Sequence, residues 1–141
     1  MPRALAIALS LTDTAFLIYW SLSALNQAGV IHVPPSWMYV HWSEPRVVAW
    51  NWSFLPLDLA FSMTGFAALA AARRGSATWR PLALLSLAFT LAAGAMAIGY
   101  WTLLGEFAPL WFLPNLALTL WPMAFLPGLV RGSSSKEPSM A

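Results

Sequence analysis

The sequence contains no cysteine. That excludes disulfides, thiolate-bound metals and thiol catalysis, and it leaves the redox compartment open. Charge is nearly as scarce: Asp, Glu, Lys and Arg make up 9% of the chain, against roughly 25% in a soluble domain. Basic residues form no cluster interleaved with aromatics, which excludes nucleic acid as a partner. No glycine-rich phosphate loop and no Ser-His-Asp arrangement is present. His41 and Glu44 have the spacing of a metal pair, but Pro45 follows at once and too few ligands lie nearby, so neither a metal nor a cofactor is expected.

What the chain has instead is apolar length. Of its 141 residues 60% are hydrophobic, and the mean hydropathy is +0.67. Such a surface suits lipid better than water. Four runs are long enough to cross ~30 Å of hydrocarbon: residues 4–25, 47–72, 81–104 and 109–130. The first is read as a span and not as a signal peptide, because it is long, is interrupted by Asp13 and lacks a clean cleavage site. Between the first two runs lies a loop with Pro34-Pro35 and with Trp37, Tyr39 and Trp42, rings suited to the headgroup level. Residues 131–141, mostly Gly, Ser, Lys, Glu and Pro, read as a disordered tail. The fold class expected is an all-α integral membrane protein, a four-transmembrane-helix bundle in one domain, residues 1–130. Arg3, Arg73, Arg74, Arg80, Arg131 and Lys136 fall on one side and only Arg46 on the other, so both termini are expected in the cytoplasm.

The informative residues are the polar ones inside these runs. Asp13 and Asp58 have no basic residue in their own runs to pair with. An ionised carboxylate at the bilayer centre costs ~2.5–3.5 kcal/mol on insertion scales, so each should face protein or a cavity. A neutral acid in a dry site can donate a proton; an interior carboxyl group can also anchor a polar ligand group or simply hydrogen-bond another helix. On the first run, helical spacing gathers Ser10, Asp13, Thr14, Leu17, Trp20, Ser21 and Ala24 on one stripe, expected to face inward. On the second, Asn51, Asp58, Ser62, Gly65, Leu69 and Ala72 share a face. Pro56 deprives the Trp52 carbonyl of its donor and should kink the helix just before Asp58. The third run carries Ser86, Thr90 and Gly94 on one line and Ala95 with Gly99 on another. The fourth carries Asn115 and Thr119, with breaks expected at Pro114 and Pro122. These positions suggest a pocket opening toward the outer leaflet. Trp50, Trp52 and Trp111 fall at the outer ends, where an aromatic belt is expected. Trp20, Trp101 and Trp121 have the alternative of lining a pocket or facing a cation.

Three stretches carry a family resemblance: Thr12-Asp13-Thr14-Ala15-Phe16-Leu17-Ile18-Tyr19-Trp20, Ala49-Trp50-Asn51-Trp52-Ser53-Phe54-Leu55-Pro56-Leu57-Asp58 and Trp111-Phe112-Leu113-Pro114-Asn115-Leu116. They resemble the YvaD-like family of small bacterial four-helix membrane proteins. The resemblance implies this topology and a bacterial inner membrane, and it brings no activity with it. The layout of acids within helices and a proline-broken segment is also similar to the EXPERA group of sterol isomerases and sterol-binding membrane proteins, without matching motifs.

The candidate catalytic residues are therefore Asp13 and Asp58, as general acid or polar anchor. The candidate ligand-binding residues are Trp20, Asn51, Trp52, Trp101, Asn115 and Trp121. Two functions fit these residues. The first is a bundle that binds membrane lipid or another apolar small molecule, or that serves as an accessory subunit to a membrane protein partner. The second is a membrane-embedded isomerase or cyclase using an intramembrane Asp on an isoprenoid-like or sterol-like substrate. Four spans without a visible repeat argue against a carrier acting as a monomer.

Overall fold

The computed structural model describes residues 1–134, the side chains of 132–134 excepted. All regular structure among them is helical. Helix α1 covers Arg3–Gln27, α2 Pro45–Trp52, α3 Leu55–Arg73, α4 Trp79–Leu104, α5 Pro109–Met123 and α6 Leu126–Ser134. A single 3₁₀ turn at Pro35–Trp37 interrupts the loop after α1. Because α2 continues into α3, and α5 into α6, the described residues form four helical segments long and apolar enough to cross a membrane.

Both broken spans have a proline at the second position of the following helix. Pro56 follows the bend at Ser53-Phe54, and the Ser53 hydroxyl donates to the Trp50 carbonyl at 2.6 Å within that bend. In the fourth span the bend falls at Ala124-Phe125, before Pro127. The breaks expected at Pro114 and Pro122 do not occur: both prolines lie inside α5, and Pro122 is fully buried. A missing N–H removes one hydrogen bond, a loss that α5 runs through both at buried Pro122 and at exposed Pro114. The tail expected to be disordered begins at Arg131. The last helix runs on to Ser134, and the rest of that tail lies outside the described residues.

The helices pack in a row, α1 on α3, α3 on α4 and α4 on α5, with α6 returning onto α4. The antiparallel register of α1 on α3 is set by three meetings: Asp13 beside Gly65, Phe16 edge-on to Phe61 at 4.8 Å between ring centroids, and Trp20 bonded to Asp58. The α1 stripe is rotated from the one expected. Leu5, Leu9, Asp13 and Trp20 are buried, whereas Thr14, Leu17, Ser21 and Ala24 are exposed. Ser21 satisfies its hydroxyl on the Leu17 carbonyl (2.7 Å) and Ser10 on that of Ala6 (2.8 Å). A serine bonded back onto its own helix has no need of an interior partner.

On α3 and α4 most residues of the expected faces are buried. Ser62, Gly65 and Leu69 are buried on α3, and Ser86, Thr90 and Gly94 on α4. Ser86 donates across the interface to the Phe61 carbonyl at 3.0 Å. Gly94 lies against α5. Gly99 has open space where a side chain would be, and Ala95 is exposed, so the second small pair makes no close contact.

Two apolar clusters mark the two ends. At the end carrying Arg3, Arg73, Arg74 and Arg80, Leu5, Leu9, Ala68, Leu69, Ala83, Leu87 and Leu129 form one core. At the opposite end Tyr39, Val47 and Trp101 form another, packed by Trp50, Tyr100 and Trp111. The loop of residues 28–44 folds over this aromatic end. His41 ties it down, meeting Glu44 at 2.9 Å and, on the α4–α5 turn, Glu106 at 3.1 Å. That turn is compact because Gly105 ends α4 in the left-handed region, at φ 68°.

Candidate functional site

Among the described residues α1 and α5 do not pack along each other, and a cavity of about 780 Å³ fills the space between them. Its floor is α3 and α4, through Asp58, Ala93, Ala97 and Trp101. Its side walls are Thr12, Phe16, Tyr19 and Trp20 from α1 and Trp111, Asn115, Leu118 and Trp121 from α5. At the aromatic end it is roofed by a ring chain: Tyr19 to Trp111 at 5.8 Å and Trp111 to Tyr39 at 5.7 Å. At the basic end it is closed by the leucine core, which includes packing from Trp121 and Phe125. Leu11 and Leu110 both line the cavity and remain 67% and 58% exposed, so its open side faces lipid between α1 and α5.

Asp58 lines this cavity while only 3% exposed. The Trp20 indole N–H donates to its Oδ2 at 3.0 Å, and its Oδ1 has no hydrogen-bond partner in the protein. The helical break before α3 puts it there, since Asp58 falls in the first turn of α3 with its backbone N–H bonded to the Phe54 carbonyl at 2.9 Å. The ion pairs among the described residues are those of His41, so no basic side chain neutralises this carboxyl group.

The other polar lining groups are mostly spoken for. Asn51 accepts from the Tyr19 hydroxyl at 3.0 Å. Asn115 donates to the Trp111 carbonyl at 2.7 Å, one turn back on α5. The indole N–H groups of Trp111 and Trp121 are buried without partners. The site thus holds one free carboxyl oxygen and two free N–H donors in a wall that is otherwise aromatic and aliphatic.

Of the residues singled out from sequence, Trp20, Asn51, Asp58, Trp101, Asn115 and Trp121 come together around this cavity. Trp52 is not among its lining residues; its ring lies 5.2 Å from that of Trp20. Asp13 also lies elsewhere. It is fully buried between α1 and α3, with both carboxyl oxygens unpartnered and the space of a Gly65 side chain taken by its carboxyl group. The register places it two helical turns from Asp58, roughly 10 Å along the axis, so the two acids form separate sites.

Tyr19, Tyr39, Trp50 and Trp111 line the cavity as well. Trp50 and Trp111 were expected in the outer belt and Tyr39 at the headgroups. Trp50 instead stacks on Tyr100 at 3.9 Å and meets Trp101 edge-on at 5.5 Å. Tyr39 is only 6% exposed, and burial pushes its hydroxyl up to about 12, so that it stays a neutral part of the roof. Their spacing relative to Asn51 and Asn115 was the available signal: Trp50 is adjacent to Asn51, and Trp111 is one turn from Asn115.

The sequence profile of a family of unknown function, DUF5360, matches residues 5–136. The chain is 37% identical over 127 residues to the uncharacterized protein YvaD of Bacillus subtilis (strain 168), an alignment covering 89% of this chain and 92% of that protein. No solved structure matches it.

Proposed function

We propose that this chain, which belongs to the DUF5360 family that includes YvaD-like proteins, holds an apolar, lipid-like small molecule within the membrane, in the cavity between α1 and α5. The observation that carries this reading is the cavity itself. Its volume of about 780 Å³ falls within the ~300–1,000 Å³ of small-molecule sites, and it has their chemistry, an apolar wall with few polar groups. The open side between Leu11 and Leu110 gives a lipid-like molecule a path from the bilayer. The basic residues at one end support an inner-membrane orientation with both termini cytoplasmic.

A second reading uses the same cavity for chemistry. Asp58, with one oxygen free among Trp20, Trp101 and Trp121, has the position of a general acid for an alkene or epoxide, the rings then stabilising the cation formed. Asp13 has no place in that scheme, because it does not reach the cavity.

Native mass spectrometry of the gently extracted protein tests occupancy. The wild type is expected to carry a bound small molecule. Ala97→Phe, which puts a ring into the cavity from its floor, should reduce that occupancy at least about tenfold while leaving the protein folded, each tenfold being ~1.4 kcal/mol. A bare chain, or a ligand unaffected by Ala97→Phe, contradicts the pocket reading. A stoichiometric partner chain in place of the small molecule supports an accessory subunit instead.

A further inference from the structure

We propose that the molecule held in this cavity is an amphiphilic organic cation, an ammonium or similar positive head on an apolar body, with Asp58 as its counter-ion; this rests on the pocket reading above. Asp58 is 3% exposed and lines the cavity, its Oδ2 is held by Trp20, and its Oδ1 is unpartnered. Unlike Asp13, Asp58 borders a cavity, so a ligand cation there can supply the counter-ion that the protein does not.

The walls fit the same occupant. Trp20, Trp50, Trp101, Trp111 and Tyr19 surround the cavity with aromatic side chains. Ring faces attract cations, most strongly once water is gone. Asn51 and Asn115 each use one end of the amide within the protein, and neither carries a charge to compete with Asp58 for the head group. The buried indole N–H groups of Trp111 and Trp121 supply no formal charge to Asp58. An anionic head would meet the carboxyl group with like charge. A neutral head would gain a hydrogen bond and leave the aromatic faces unused.

The test uses the full chain in nanodiscs of zwitterionic lipid, with empty nanodiscs subtracted. Radiolabelled dodecyltrimethylammonium is compared with labelled dodecanol, in the wild type and in Asp58→Asn. The asparagine can still accept from Trp20, so the variant removes charge and keeps shape. The cation is expected to bind saturably at one site, at least about tenfold tighter than the alcohol, and to weaken at least about thirtyfold in Asp58→Asn. The alcohol should be indifferent to the substitution, which also reports that the variant is folded. Should Asp58→Asn fail to insert, the wild-type preference for cation over alcohol decides alone. Equal binding of the two amphiphiles, or cation binding unchanged in Asp58→Asn, overturns the cation assignment and leaves the pocket reading standing. Saturable binding of neither, in a wild type shown to be folded, overturns both.

Discussion

Gly94→Leu is expected to destabilise the protein by on the order of 3 kcal/mol, and to empty the cavity as well. A Cβ at position 94 would lie 2.7 Å from the Asn115 carbonyl oxygen and 2.8 Å from the Thr119 backbone nitrogen. These are main-chain atoms of α5 and cannot swing aside as a flexible side chain would. The two helices must separate, and they are the ones that carry Ala93, Ala97, Asn115 and Leu118 to the cavity wall. Gly99 supplies the control. It lies on the same helix with nothing within 4 Å of a built Cβ, so Gly99→Ala should be neutral or stabilising by up to ~1 kcal/mol. Thermal unfolding in mild detergent measures both. Equal effects at the two positions would mean that α4 and α5 are not in this close contact.

The second large effect is a coupling. Gly65→Ala puts a methyl group where the Asp13 carboxyl group lies, and should cost about 2 kcal/mol. Asp13→Ala on its own removes a fully buried acid with no partner. The desolvation it relieves, about 1–3 kcal/mol, offsets the packing it loses, so this substitution should be neutral or stabilising. Joining the two should recover most of the loss seen in Gly65→Ala, giving a coupling energy above ~1 kcal/mol. Additive effects would mean that Asp13 does not face α3 at this position.

Much of this arrangement is legible from the chain, for definite reasons. Hydropathy locates the spans because lipid tolerates so few alternatives. The Asp58, Ser62, Gly65, Leu69 face and the Ser86, Thr90, Gly94 line are readable because small and polar residues at helical spacing have one natural destination, another helix. The α1 stripe is readable only in part. Asp13 and Trp20 turn inward as expected, while Thr14 and Ser21 are exposed, and Ser21 demonstrates that a hydroxyl can be satisfied on its own backbone. The aromatic residues are harder still. Tyr39, Trp50 and Trp111 lie at depths where a belt is expected, and an indole or phenol ring is stable both at the headgroups and in a cavity wall. Which it does depends on rotation about the helix axis and on loop folding, which composition does not report. The proline at 127 follows the break in the fourth span while those at 114 and 122 lie within α5, so residue type alone does not mark the break.

The central claim is that both acids lie inside the bundle, apart from each other, with only Asp58 at the cavity. The chain has two aspartates, Asp13 and Asp58, so aspartate carrying a carbon-13 label in its carboxyl group gives two side-chain signals in a solid-state NMR spectrum of the protein in lipid bilayers. One of them should receive magnetisation from the Trp20 indole proton and lose that transfer in Trp20→Phe. The other, from Asp13 fully buried between α1 and α3, should receive none from lipid acyl-chain or headgroup protons. Strong transfer from lipid protons to both signals, with none from an indole, would put the carboxyl groups on the outside of the bundle and contradict the account.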